Sequence, residues 1–238
     1  MYVTSLDIHS ERFPVKDVFP FNVRALNSTS RIEFAGPITF LTGANGTGKS
    51  ALLDAMARKS GFLPWGGSKV HSSHKNPFEN KLAGFVSLGI QTWRPYGFHF
   101  RAEAFFNFAA SLDDIIIDDP GRETYYGGKS LNVLSHGESF LAFFGGYSFQ
   151  LDGLYMLDEP EAALSPENQL EFVKILRNNA ASGKKQYIIA TLSPIILACP
   201  GSQILSFDNG AIQPIRYEEC STYRFYKEFI EEPGKFLV

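Results

Sequence analysis

The sequence predicts an α/β fold: a mixed sheet core, an antiparallel β subdomain beside it, and a small helical lobe. Three stretches predict it. Pro37 to Thr42 (PITFLT) is a short, mostly apolar run, as a buried parallel strand is. It opens into Gly43-Ala44-Asn45-Gly46-Thr47-Gly48-Lys49-Ser50, and Ser50 to Arg58 (SALLDAMAR) then reads as a helix with Leu52, Leu53 and Met56 on one side. A second apolar run, Gly153 to Leu157, ends in the acids Asp158, Glu159 and Glu161. Between them, Leu134-Ser135-His136-Gly137-Glu138-Ser139 leads into the helical run Phe140 to Phe144.

Taken in order, Tyr2 to Ile8 alternates like a strand, as do Asn22 to Leu26 and Arg31 to Phe34, and these short strands predict the antiparallel sheet. Gly61 to Leu82 is rich in Gly, Pro, Ser and His and reads as a loop or insertion. His71 and His74 within it lack a third ligand nearby, so a solvated loop is the better reading than a metal site. Gly84 to Gln91 and Gly97 to Phe100 read as strands. From Arg101 the pattern turns helical, with Phe105, Phe106 and Phe108 expected to pack inside the lobe. A base-stacking platform would come with interleaved basic residues, and here Arg101 stands alone.

After the acidic run, Ser165-Pro166 starts a helix as N-cap and first helical residue, with Leu170, Phe172, Val173, Ile175 and Leu176 as its apolar face. Gln186 to Thr191 is a further buried strand, followed by a helical turn at Pro194 to Ala198 and strands at Gln203 to Phe207 and Ala211 to Tyr217. Ser221 to Ile230 closes as a helix bearing Tyr223, Phe225, Tyr226 and Phe229. The organisation expected is a single domain over 1–238, with a core of 1–100 and 150–238 and a helical lobe at about 101–149.

Composition narrows the class. With 44% hydrophobic and 20% charged residues and a formal net charge of −3, there is no strong overall positive field to advertise nucleic acid or a membrane as partner. Cys199 and Cys220 share no metal-ligand spacing, and a reduced cytoplasmic setting is expected. The start, MYVTSLDIHSER, lacks a basic segment followed by an apolar run, so no signal peptide is expected. No apolar stretch approaches the roughly 20 residues that cross a bilayer.

The chemistry lies in the three motifs. Gly43 to Ser50 fits G-x-x-x-x-G-K-[ST], a phosphate-binding loop between strand and helix that aims backbone N–H groups at a polyphosphate. Gly43, Gly46 and Gly48 let the backbone pass close to phosphate oxygens. Lys49 is a point charge for the β- and γ-phosphates, and Ser50 offers a hydroxyl to Mg²⁺. Asp158 suits a water-mediated Mg²⁺ contact, and Glu159 suits the general base for an attacking water. Ser135 and Gly137 before a helix make another anion-binding turn, a weak signal by itself.

With these motifs in order, the chain resembles the ATP-binding-cassette (ABC) class of P-loop ATPases. Gly43 to Ser50 stands as Walker A, Leu154 to Glu159 as Walker B, and Ala163-Leu164-Ser165 in the place of the D-loop. Leu134 to Glu138 (LSHGE) is similar to the signature motif, usually LSGGQ, and it lies at the usual short distance from Walker B. Within the class, NGTGKS and ATLSP look more like the soluble SMC, RecF and AAA-labelled branch than like transporters. Nearest in likeness are small stand-alone bacterial predicted ATPases that carry RAESFF, SHGESFL, LLDEPEAALSP and ATHSP segments.

The resemblance implies cofactors and partners. ATP and Mg²⁺ would be bound, and two copies would sandwich two ATP molecules. Ser135, His136, Gly137 and Glu138 of one copy would complete the site built by Gly43 to Ser50 of the other. The homodimer would form on ATP binding and part on hydrolysis. A protein effector or a nucleic-acid-processing partner is expected, and a membrane partner is not. The stretch from Lys49 to Ser135 is too short for long coiled-coil arms.

Two departures from the family pattern bear on activity. The residue after Ala190-Thr191 is normally a switch histidine, and here it is Leu192, so slow hydrolysis is expected. His136 replaces the first signature glycine. The Q-loop residue, a third metal contact, is Glu103 in preference to Gln91. Two other readings stand beside an ATP-gated switch: the nucleotide-binding subunit of an ABC transporter, and an ATP sensor that no longer hydrolyses and regulates an effector.

Overall fold

A computed structural model describes residues 1–62, 76–78, 80–91, 95–102 and 136–237. Its strands are β1 (Val3–Ile8), β2 (Arg31–Glu33), β3 (Ile38–Thr42), β4 (Val86–Ile90), β5 (Gly97–Arg101), β6 (Gly153–Asp158), β7 (Lys185–Ala190), β8 (Gln203–Ser206) and β9 (Gln213–Ile215). Six of them form one sheet in the order β5-β6-β7-β3-β8-β9, and the other three form an antiparallel sheet in the order β2-β1-β4. In the larger sheet every pairing from β5 to β8 is parallel, and β9 runs antiparallel to β8. The mixed core and the antiparallel subdomain are as the sequence predicts.

Every residue of β3, β6 and β7 is buried, which is why these strands read as apolar runs without alternation. The strand pleat still sorts side chains by parity. On β6, Tyr155 and Leu157 join one cluster, with Phe98, Phe100, Phe140, Phe144 and Phe172. Leu154 and Met156 join the opposite cluster, with Leu6, Phe21, Leu52 and Met56. The first cluster is largely aromatic, with Phe140 and Phe144 rings at 4.4 Å and Phe144 and Phe172 rings at 5.1 Å between centroids. The helix His136–Gly145 thereby packs on the helix Pro166–Ala180 over the sheet.

Most elements fall where the sequence puts them, with four corrections. Asn22 to Leu26 is not a strand, because a helical turn occupies Arg24–Asn27. Val23 and Leu26 are both buried, a spacing that a helical turn puts on one side, and Asn27 Nδ2 donates to the carbonyls of Phe21 at 2.6 Å and Val23 at 2.9 Å. Gly84 and Phe85 belong to a 3-10 turn before β4. The strand expected over Ala211 to Tyr217 shortens to β9, with Tyr217 in a 3-10 turn. On the helix Pro166–Ala180 the buried residues are Phe172, Leu176 and Ala180, at successive helical turns, whereas Leu170 points away and is 53% exposed.

Ser165 caps that helix, its hydroxyl accepting from the N–H of Asn168. The helix Ser221–Glu231 forms as expected but buries none of its residues, leaving Phe225, Tyr226 and Ile230 exposed. Cys199 and Cys220 are free and buried, and burial pushes both thiols up, Cys220 to about 11. His71, His74, Glu103, Phe105, Phe106, Phe108 and Ser135 lie outside the described residues.

Candidate nucleotide-binding site

The site forms at the C-terminal edge of the parallel strands, where β3, β7 and β6 end side by side. Asp158 at the end of β6 stands opposite Ala190 of β7, and Ala190 stands opposite Leu41 of β3. Between β3 and the helix Lys49–Lys59 lies the loop Gly43 to Gly48, with φ +140° at Gly43 and +94° at Gly48. Both positions need glycine twice over. A Cβ on Gly43 would stand 3.1 Å from Phe207 Cβ, and one on Gly48 would stand 3.0 Å from Val23 Cγ1, so the loop is pressed against its surroundings.

Lys49 is folded back into the loop and only 4% exposed. Its Nζ donates to the carbonyls of Gly43 at 2.6 Å and Ala44 at 3.0 Å. Burial pulls its pKa below the ordinary lysine value, while the carboxylates of Glu159, Asp158 and Asp208 act the other way. Thr47 Oγ1 donates to the Ala44 carbonyl at 2.8 Å. The loop thus holds one cation among carbonyls and presents a helix N-terminus, an arrangement that suits anionic ligands.

Ser50 Oγ donates to Asp158 Oδ1 at 2.9 Å. This bond joins the first motif to the third across the sheet edge. Hydroxyl and carboxylate are hard oxygen donors, and Mg²⁺ takes one or two such protein oxygens while keeping waters and substrate phosphates, so the pair fits that ion.

Glu159 follows with φ 50° and ψ 52°, the one non-glycine at positive φ among the described residues, and its side chain is exposed. Such a conformation costs about 1–3 kcal/mol. Its surroundings impose it: the Glu159 N–H donates to the Ala190 carbonyl at 2.9 Å, and Pro160 starts a 3-10 turn immediately after.

Glu161 turns the other way, its Oε1 accepting the Leu192 N–H at 2.6 Å. Burial raises the Glu161 carboxyl above its ordinary value, and the Leu192 N–H opposes that rise. Leu192 is half-buried in the loop after β7, and the preceding residue is tied to β3 through the Thr191 N–H and the Leu41 carbonyl at 3.1 Å. It lines a cavity of about 640 Å³ with Glu161, Gln169, Ile195, Tyr226 and Ile230.

Not every expected residue joins this edge. Gln91, the second Q-loop candidate, lies away from it. Its N–H donates to the carbonyl of Tyr2, just ahead of β1, and the Tyr2 N–H in turn donates to the side chain of Gln186 near the start of β7, the end away from the phosphate loop. β5 ends at Arg101 opposite Asp158, and Glu103 follows it outside the described residues. His136, Gly137 and Glu138 form the first turn of the helix His136–Gly145, so that helix takes in residues expected to precede it. Their sheetward neighbours are Phe140, Phe143 and Phe144, all buried.

One residue of the site escaped the sequence reading. Asp208, just past β8, accepts the Ala44 N–H at 2.7 Å through Oδ1 and the Ser221 hydroxyl at 2.8 Å through Oδ2. The available signal was an acid closing an apolar strand (ILSFD), the same pattern that marks Asp158.

Strand, glycine-rich turn, helix N-terminus and a facing acidic strand edge define a P-loop nucleotide-binding fold. A family model described as an AAA domain matches residues 21–58, which include the phosphate loop. The ABC transporter G family member 13 of Arabidopsis thaliana is 30% identical over 177 residues, 68% of this chain and 26% of the relative, so the chain spans about a quarter of that protein's length. Among solved structures, cbiO1 from Clostridium perfringens, part of the ABC transporter complex cbiONQ, matches with a TM-score of 0.50 at 17% identity, over 98% of this chain and 96% of that one. An SMC head domain from Thermotoga maritima matches with a TM-score of 0.49 at 17% identity, over 91% of this chain and all of that one. The chain has the fold of an ABC-class P-loop ATPase head, and the AAA-domain match covers its phosphate loop.

Proposed function

We propose that the protein binds ATP with Mg²⁺ and works as an ATP-gated dimeric switch that hydrolyses ATP slowly. The Ser50–Asp158 hydrogen bond carries this reading, because it brings a phosphate-loop hydroxyl and an acidic strand end to one point. Lys49 leaves its loop carbonyls for the β- and γ-phosphates. Ser50 and Asp158 hold Mg²⁺, which when bound neutralises charge on the phosphate oxygens. Glu159, exposed and fixed by its backbone, takes the proton of the attacking water.

Gly137 and Glu138 at a helix start, with Ser135 and His136, complete the phosphate site of a second copy. ATP that binds the closed pair better than the separate copies drives closure. Leu192 offers the γ-phosphate no donor, which supports slow turnover and a long-lived closed state. A cytoplasmic protein effector or a nucleic-acid-processing partner reads that state. The test is light scattering with saturating ATP and Mg²⁺ on the parent protein and on Glu159→Gln. A shift to dimer is expected, and a monomer in both proteins overturns the switch.

A further inference from the structure

Beside the acidic strand edge lies a cluster of charged groups with unmade hydrogen bonds. Asp54 sits one helical turn beyond Ser50 and is 5% exposed. Its Oδ2 accepts from Arg58 Nε at 2.6 Å, while Oδ1 is buried without a hydrogen-bond partner. Arg101 ends β5 directly opposite Asp158 in the β5–β6 register. Its Nη2 is 3.7 Å from Asp54 Oδ1 and its Nε is 3.8 Å from Asp158 Oδ2. Both distances are ion-pair contacts and both exceed hydrogen-bond length, and the Arg101 Nε is buried without a partner. His99, fully buried, leaves both ring nitrogens unpartnered, with Nδ1 3.9 Å from Asp54 Oδ1.

Unmade bonds on buried polar atoms are costly and call for an explanation. Here one guanidinium stands midway between two carboxylates, and a shift of about 1 Å toward either makes a full charge-assisted bond. A divalent cation taken up at Asp158 meets the like charge of Arg101, whose Nε lies 3.8 Å from Asp158 Oδ2, and the two repel. Asp54, anchored from behind by Arg58, offers the free oxygen to which Arg101 withdraws. Burial and the Arg101 charge keep His99 neutral, so it adds no second cation to the cluster.

We propose that Arg101 is a positioning residue that neutralises Asp158 in the metal-free protein and passes to Asp54 when the divalent cation is taken up. This rests on the reading of Ser50 and Asp158 as the Mg²⁺ site. Arg101 and Asp54 then set metal affinity with opposite signs. Arg101→Gln removes the competing charge and tightens the metal. Asp54→Asn removes the charged receiving group, keeps Arg101 on Asp158, and weakens the metal.

The experiment titrates Mn²⁺ into protein saturated with a non-hydrolysable ATP analogue, followed by electron paramagnetic resonance. Binding of a fluorescent ATP analogue without metal is measured in parallel. Arg101→Gln is expected to tighten Mn²⁺ by roughly tenfold, Asp54→Asn to weaken it by a similar factor, and Arg101→Lys to fall near the parent. Movement of both variants in one direction is what damaged packing produces, and it overturns the proposal. Unmoved Mn²⁺ affinity with metal-free ATP binding intact overturns it as well while leaving the ATP reading in place. A parent that binds no ATP overturns both. If Asp54→Asn does not fold, the Arg101 pair decides: Arg101→Gln must bind Mn²⁺ more tightly than Arg101→Lys.

Discussion

The Asp208 carboxylate accepts the backbone N–H of Ala44 at 2.7 Å, so an acid at the far side of β3 braces the phosphate loop. Its second oxygen holds Ser221 at the start of the helix Ser221–Glu231. Loop and helix are thus joined through one side chain.

That bridge gives the first prediction. Asp208→Ala is expected to weaken ATP binding by roughly fivefold, the worth of one hydrogen bond of about 1 kcal/mol. Asp208→Asn keeps an acceptor for Ala44 and is expected to bind nearly as the parent does, since Asp208 is exposed and its charge is screened by solvent. Equal loss in both variants, read by fluorescent ATP titration, would show that charge and not the hydrogen bond matters.

Glu159 combines its proposed role as general base with a strained backbone, and two variants separate them. Glu159→Gln is expected to lower turnover by roughly 10²–10⁴-fold with ATP binding unchanged. Glu159→Gly loses the same turnover but relieves the positive φ, and its melting temperature is expected to rise by the equivalent of about 1 kcal/mol. Unchanged phosphate release in the first variant removes Glu159 from its role. A lower melting point in the second would mean that the side chain stabilises more than the backbone conformation costs.

Leu192→His is expected to raise ATP hydrolysis. The Leu192 contact with Glu161 is made by the backbone N–H and survives the substitution, so only the side chain's reach changes. Phosphate release at saturating ATP and Mg²⁺ is the measurement, and a rate that stays level or falls sinks the explanation of slow turnover.

His99 predicts a pH dependence. Burial, then the Arg101 charge, lowers its pKa from 6.5 to about 4. The unfolded chain therefore takes up this proton first as pH falls. Stability from this group is complete above pH 6.5 and declines toward pH 4, by roughly 3 kcal/mol over that window. Thermal unfolding between pH 7 and pH 4.5 should show the parent losing more stability than His99→Gln. Parallel curves for the two proteins would contradict it.

The residues legible in the sequence are those whose roles depend on near neighbours along the chain. Gly43 to Ser50, the acidic end at Asp158 and Glu159, and the Ser165 cap each need only a strand, a turn and a helix start in succession. The misread stretch, Asn22 to Leu26, alternates weakly enough to suit a strand, and side-chain bonds from Asn27 back to Phe21 and Val23 settle it as a turn.

A phosphate loop, an acidic strand end and an ABC-like order of motifs can be read along the chain, because local spacing sets backbone conformation and the donors it carries. Folding is what makes Ser50 meet Asp158, Asp208 brace Ala44, Arg101 stand between Asp54 and Asp158, and Gln91 lie away from the phosphate loop. Those relations follow from strand order and register, which bring together residues far apart in the chain and which no run of consecutive residues encodes.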